Sequence, residues 1–258
     1  MLIDRISDPD HLPPLRVVRS GIASGHRLRG AVIALGNFDG FHRGHRHLIA
    51  RAQQIGAGQR PVAVMSVEPH PRAFFGKGAL ARLALPGQKH SMARMLGLDF
   101  IYEPPFDHAF AALTPAEFVQ GILSEGLGVR QIVVGADFRF GAGRVGDVAL
   151  LAQLAAPLGI AVTTVPLLGD HSSTGIREAL SAGDIPRAAR GLGRYWEAVV
   201  ERDAQGVRLA PALVRPPAGQ YVVADPVTGT THQMDLSAEG ALSGLPTGLD
   251  RVLLLRRA

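Results

Sequence analysis

AVIALGNFDGFHRGHRHLIARAQQIG, residues 31–56, passes from strand to turn to helix within one stretch. The apolar run AVIAL (31–35) has the length of a buried strand. HRHLIARAQQIG carries apolar residues at helical spacing. Between them lies a polar, glycine-rich turn. The same alternation recurs downstream. VAVMSV (62–67) is a strand expectation ending at the proline-stiffened loop EPHPR, and QKHSMARML (88–96) a helix closed by Gly97. FIY (100–102) is a short strand. Residues 115–127 form an expected helix, with Thr114 to cap it, Pro115 in its first turn, and Gly126 and Gly128 at its end. QIVVG (131–135) is a strand followed by ADFRFGAGRVGD. A helix over 147–158, the strand IAVTTVP (160–166) and a helix over 173–182 complete the series. Repeated strand–helix units predict an α/β fold: a parallel sheet with helices on both faces. The polar loops after Leu35, Val67 and Val134 then fall at carboxyl ends of strands, where such sheets hold ligands.

The pattern changes near Gly193. WEAVVE, VRLAPALV, QYVVAD, THQMDL and RVLLLRR are short runs separated by DAQG, PPAG, PVTG and PTG, which is turn chemistry. They predict a small antiparallel β domain. The expected division is 1–193 and 194–258. A tail of that size is small for an independent core and is expected to pack on the first domain. Trp196 reads as its core anchor.

Of 258 residues, 47% are hydrophobic and 19% charged, a globular composition that excludes disorder. There is no cysteine, which excludes disulfides, thiolate metal sites and a cysteine nucleophile. No apolar run is long enough to span a bilayer. MLIDRISDPDHLPPL lacks the basic-then-apolar order of a signal peptide, so the expected location is the cytoplasm. The net charge is +5, carried almost wholly by arginine; Lys77 and Lys89 are the lysines. A basic balance suits a polyanionic partner such as ATP, pyrophosphate or nucleic acid, but the charge is scattered, and a solvated surface is favoured over nucleic-acid binding.

Four segments carry candidate chemistry. Gly36, Asn37, Phe38 and Asp39 lead into His42, Gly44 and His45 at a strand-to-helix junction. A helix start offers unpaired N–H groups and a positive dipole end, which attract phosphate. Gly44 lets the backbone approach a ligand. His42 and His45, three apart, can face one side and donate to triphosphate oxygens. The competing readings are surface histidines, or a metal site with His47; zinc needs further ligands that the sequence does not offer, and no metal ligand set is assigned. Ser172, Ser173 and Thr174 open a second helix start, and Arg177 can reach a β- or γ-phosphate. Ordinary capping beside a surface arginine is the alternative. Pro69 and His70 lie in a stiff loop that either walls an acceptor site or is simply a turn. Asp137 can accept ring or ribose hydrogen bonds, and Phe138 or Phe140 can stack on a flat ring; the alternative places these phenylalanines in the core.

In order, GNFDGFHRGH, EPHPRAFF, PPFDHAFAALTPAEFV, VVGADFRFG and SSTGIREAL resemble the adenylyltransferase half of the bacterial bifunctional riboflavin kinase/FMN adenylyltransferase family. The resemblance spans residues 30 to 195. It implies a Rossmann-like nucleotidyltransferase domain that uses ATP with Mg²⁺ and FMN, forms FAD and releases pyrophosphate. It implies His42 and His45 at the ATP phosphates and Ser173, Thr174 and Arg177 at the triphosphate end. Asn37, Pro69, Asp137 and Phe140 fall beside ribose, phosphate or flavin. The family's kinase half carries a signature resembling GFPTAN, whereas this chain reads GVRLAPALVRPPAGQYVV. The tail is therefore expected to be a shortened kinase-barrel remnant without riboflavin kinase activity. Another phosphorylated acceptor, or flavin binding without turnover, remains open.

Overall fold

The computed structural model describes residues 14–76, 80–166, 169, 172–204 and 206–258. Residues 1–13, most of the segment read above for a leader, lie outside the described residues, as does Lys77.

The first sheet has six parallel strands: β1 (Arg16–Val18), β2 (Val32–Leu35), β3 (Val62–Met65), β4 (Phe100–Tyr102), β5 (Gln131–Gly135) and β6 (Ala161–Val165). Their spatial order is β1-β4-β3-β2-β5-β6. All four residues of β2 and of β3 are buried, as a strand covered on both faces requires. Alternate side chains serve different cores. Ile33 and Leu35 join Phe118, Leu123 and Leu151 on one face. Val32 and Ala34 join Phe41, Ile49 and Ala52 on the other. The chain runs outward from β2 through β3 and β4, then returns to β5 on β2's opposite flank. A crevice opens where strand order reverses in this way. The loops after β2 and β5 both border it.

The intervening helices are α1 (Arg43–Gly56), α2 (Pro71–Phe74), α3 (Pro86–Met95), α4 (His108–Ala112), α5 (Pro115–Glu117), α6 (Val148–Ala155), α7 (Ser173–Ser181) and α8 (Ile185–Leu192). One expectation changes in kind. Thr114 and Glu117 form a reciprocal cap, but after α5 the chain continues as a π-helix, Phe118–Gly126. Its end is marked by Leu127 N–H donating to the Ile122 carbonyl at 3.0 Å. Phe118, Leu123 and Leu127 are buried there. Intervals of five and four suit the wider π turn better than 3.6. Strand β1 and helices α2, α4 and α8 were not anticipated.

The second sheet comprises β7 (Trp196–Asp203), β8 (Gly206–Leu209), β9 (Gly219–Ala224), β10 (Thr231–Leu236), β11 (Leu242–Ser243) and β12 (Arg251–Arg257), in the order β11-β10-β9-β12-β7-β8. Its pairs are antiparallel. An antiparallel bridge between Arg208 and Ala241 brings β8 back to β11, so the sheet curls into a barrel. Trp196 is buried within it, and its indole N–H donates to the Leu83 carbonyl at 2.8 Å.

Gly193, in a left-handed turn, separates α8 from β7. The apolar packing runs across that point. Ile176, Leu180, Ile185 and Leu192 of α7 and α8 share one core with Trp196, Val223 and Leu254 of the barrel. Residues 81–85 strap the two sheets together. Arg82 N–H donates to the Ala212 carbonyl at 2.8 Å and the Arg82 carbonyl accepts from Val214 N–H at 2.9 Å.

Candidate active site

Strand β2 delivers the chain into a tight 3₁₀ turn, Asp39–Phe41. Phe38 and Phe41 take left-handed backbone conformations, with φ of 48° and 43°. Such φ values are costly for a residue with a Cβ. Here both rings are fully buried, and that packing holds the turn. Gly40 sits between them at φ 75°, where a Cβ would come within 2.8 Å of the Leu83 side chain. Phe38 thus belongs to the core through its ring; only its backbone faces the turn.

His42 caps helix α1. Its Nδ1 accepts from the His45 backbone N–H at 3.3 Å. The two imidazoles stack with centroids 3.6 Å apart. His45 lies against the Phe38 ring as well. Burial holds the His45 imidazole well below the ordinary histidine range, with the charges of His42 and Arg177 adding to the effect. His45 is therefore neutral near pH 7. Its Nδ1 is buried and has no hydrogen-bond partner among the described residues. Gly44 lies between the histidines in the first turn of α1, Gly36 is half-exposed, and Asn37 is exposed.

The second motif docks on the first. Asp39 is buried, and its carboxylate accepts from the backbone N–H groups of Leu83 and Ala84 at 3.1 Å. Arg177 completes the set, with Nη2 donating to Asp39 Oδ2 at 2.6 Å and Nε to the Ala81 carbonyl at 2.9 Å. Ser173 Oγ donates to the Asp39 carbonyl at 3.2 Å. Ser172 caps α7 by accepting from Gly175 N–H. Thr174 is exposed. The two histidines and Arg177 occupy one place, although more than 130 residues separate them in sequence.

The loop after β3 closes a third side. Pro69, joined to Glu68 by a cis peptide, is exposed. His70 caps α2 by accepting the Arg72 N–H at Nδ1. Burial pushes the His70 imidazole down to about 4; Asp39 opposes this, while Arg177, Arg72 and Arg82 reinforce it. Both charges of the Asp39–Arg177 pair thus act on the His70 imidazole. On the β5 side, Asp137 is exposed and Phe138 half-buried. Phe138 stacks on Phe140 at 5.7 Å. Phe140 itself is buried in the sheet's core, its ring close over Gly146.

An aromatic cluster missed from the sequence links these loops. Phe74, Phe75 and Phe106 pack edge to face, and Phe110 packs tilted on Phe106, at centroid spacings of 5.3–5.9 Å. The series continues through Phe118 to Phe140. Phe75 is 59% exposed and the other members are half-buried. The available signal was the phenylalanine content of EPHPRAFF and PPFDHAF. Among the described residues no group of three or more His, Asp or Glu could hold a metal ion, and no helix is long and apolar enough to cross a membrane.

Residues 25–177 match the family model for FAD synthetase. The chain belongs to the FAD synthetase family. A bifunctional riboflavin kinase/FMN adenylyltransferase of Pseudomonas fluorescens is 42% identical over 199 residues, which cover 74% of this chain and 62% of that protein. The namesake from Escherichia coli (strain K12) is 37% identical over 195 residues, 73% of this chain and 62% of the relative. A FAD synthetase of Listeria monocytogenes is 34% identical over 181 residues, covering 68% of this chain and 73% of that one. The matched region is thus about three fifths of the bifunctional relatives' length. A crystal structure described as a macrolide-efflux protein from Streptococcus pneumoniae superposes with a TM-score of 0.76 at 21% identity, covering 95% of this chain and 91% of the other. That likeness concerns the fold alone, and it takes in both sheets. The FAD synthetase family match covers the histidine turn, the loops after β3 and β5, and the second helix start as far as Arg177.

Proposed function

We propose that this chain transfers AMP from Mg-ATP to FMN, giving FAD and pyrophosphate. The single observation that carries the reading is the docking of Arg177 on Asp39 beside the His42–His45 pair. An FMN phosphate oxygen attacks the α-phosphorus of ATP. The bond between that phosphorus and the bridging oxygen to the β-phosphate breaks, and pyrophosphate leaves with the electron pair. No covalent enzyme intermediate is required, since the acceptor phosphate is already a nucleophile. What the site must supply is placement of two anions and donors aimed at the charge that develops. His42, His45 and the start of α1 supply donors on one side. Gly36, Asn37, Phe38 (through its backbone), Asp39 and Gly44 shape the nucleotide side. Ser172, Ser173, Thr174 and Arg177 receive the departing diphosphate. Mg²⁺ arrives as the counter-ion of ATP.

Pro69, His70, Asp137 and Phe138 border the acceptor side in this reading, with the buried Phe140 backing Phe138 from the core, together with the Phe74–Phe75–Phe106 cluster. Exposed aromatic edges favour a flat, polycyclic acceptor. FMN comes from another enzyme, because the barrel lacks the kinase signature. The 193/194 boundary divides catalytic from accessory residues rather than two separate cores. In this reading the protein works in the cytoplasm on two small-molecule substrates, without a nucleic-acid partner.

Incubation with FMN and Mg-ATP, followed by chromatography, tests the reading. FAD is expected, and none from a His42→Ala/His45→Ala variant. Riboflavin with Mg-ATP is expected to give no FMN. Substituting nicotinamide mononucleotide for FMN separates the acceptors, with the flavin preferred.

A further inference from the structure

Beneath the two substrate loops lies a charged cluster that the reaction scheme leaves unused. Lys89, on α3, is 4% exposed. Its Nζ donates to Ser66 Oγ at 2.9 Å and to Glu68 Oε2 at 3.3 Å, and lies 4.0 Å from Glu103 Oε1. Each contact leads somewhere different. The Ser66 hydroxyl passes its own hydrogen to the Asn37 carbonyl at 2.8 Å, which fixes the nucleotide loop. The Glu68 carboxylate is also gripped by both terminal nitrogens of Arg82. Its backbone carbonyl accepts from Phe106 N–H at 2.8 Å, at the aromatic cluster, and its next residue is Pro69. Glu103 is buried and held from outside by His90 at 3.0 Å and Arg19 at 3.2 Å.

Buried ion pairs are poor stabilisers compared with apolar packing of equal volume. A compact ammonium with three rotatable donors is, however, well suited to join several acceptors at one point. Here the acceptors, Ser66 and Glu68, tie together the two neighbouring loops that follow β2 and β3. We propose that Lys89 is a positioning residue that sets the spacing between the nucleotide loop and the acceptor loop, acting through Ser66 on Asn37 and through Glu68 on Pro69 and Phe106. The inference rests on the adenylyl-transfer reading for its kinetic consequence but not for its structural one. Neither substrate need touch Lys89. Its role is to hold the two neighbouring loops in register, so that the acceptor oxygen and the α-phosphorus meet.

The experiment uses the full chain and the variants Lys89→Met, Ser66→Ala and Ser66→Thr. Amide hydrogen exchange is followed without ligands, and kcat and KM with them. Lys89→Met is expected to speed exchange in residues 36–41 and 66–72 together by about tenfold while leaving α6 and the barrel unchanged. Ser66→Ala is expected to speed exchange in 36–41 only. For Lys89→Met, kcat falls about 100-fold, with each KM moving less than about threefold, because each substrate still finds its own loop. Ser66→Thr, which keeps the hydroxyl, restores both readouts relative to Ser66→Ala. Ser66→Ala removes no charge, so it carries the test should Lys89→Met fail to fold. Exchange that is unchanged in both loops, or raised throughout the protein, overturns the proposal. A wild-type protein that makes no FAD would count against adenylyl transfer, while the exchange data would still decide the role of Lys89.

Discussion

Arg177 and Asp39, 138 residues apart, form a 2.6 Å ion pair that fastens the second helix start to the histidine turn. Asp39 is also the acceptor for the Leu83 and Ala84 N–H groups, so one carboxylate organises three segments. Removing one partner of a buried pair costs about 3–5 kcal/mol, because the other charge is stranded. Asp39→Ala is therefore expected to lower unfolding free energy by about 3 kcal/mol or more in urea at neutral pH. Asp39→Asn should cost less, since its amide oxygen still accepts from the backbone. Equal costs for the two would show that the charge paired with Arg177, rather than the backbone contacts, matters.

His70 predicts an acid-side loss of stability. Its folded value is about 4 against an ordinary 6.5. The unfolded chain therefore binds the proton more readily. The stabilisation from a neutral His70 is complete above about pH 6.5 and is lost as pH falls from there towards 4. Protonation also removes the Nδ1 acceptor that caps α2. A His70→Gln variant should show a flatter stability profile between pH 6.5 and 4 in thermal melts. A slope equal to that of the wild type would remove His70 as its source.

Phe106, half-buried, stands at the centre of the aromatic cluster, its ring centroid 5.3 Å from that of Phe74 and 5.9 Å from that of the exposed Phe75. Stacking on a ligand ring of this kind is worth about 1 kcal/mol beyond area burial. Phe106→Ala is expected to weaken FMN binding by about tenfold, read by quenching of flavin fluorescence, with ATP affinity unchanged. Loss of ATP affinity to the same degree would move the cluster out of the acceptor site.

Cutting the chain after Gly193 tests how the barrel serves the site. Ile176, Leu180, Ile185, Leu192 and Leu83 would lose their buried surroundings. At about 1.5–3 kcal/mol for each buried side chain, the loss rivals the whole stability of a domain. The truncated chain is expected to melt without cooperativity and to bind ATP poorly. A fragment that melts sharply and binds ATP like the full chain would mean that α7 and its arginine need no barrel.

Much of this was legible in the sequence because it is local. AVIAL followed by GNFDGFHRGH shows a strand, a turn and a capped helix without any long-range information. The alternation of WEAVVE shows a half-buried antiparallel strand. What was hidden depends on distant partners. Asp39 reads as one turn residue among several until Arg177 is found on its carboxylate. Lys89 sits in a stretch with ordinary helical spacing, and nothing nearby reveals that it is buried. Phe38 and Phe140 are aromatic residues in functional motifs, yet their rings are buried, and only packing distinguishes a core ring from a stacking one. Helix α8 has fair start signals in Asp184 and Pro186, but its eight residues lie against the break into β-rich sequence, which leaves its helical period too short to read.

The most direct test of the central claim follows the phosphates themselves. ATP labelled separately at the α- and γ-phosphorus is mixed with FMN, Mg²⁺ and the protein, and the products are separated. The account predicts that the α-label appears in the flavin fraction and the γ-label in pyrophosphate, and that both signals vanish in the His42→Ala/His45→Ala variant. Alpha-label that never joins the flavin, or that joins it equally well without the two imidazoles, would contradict the account.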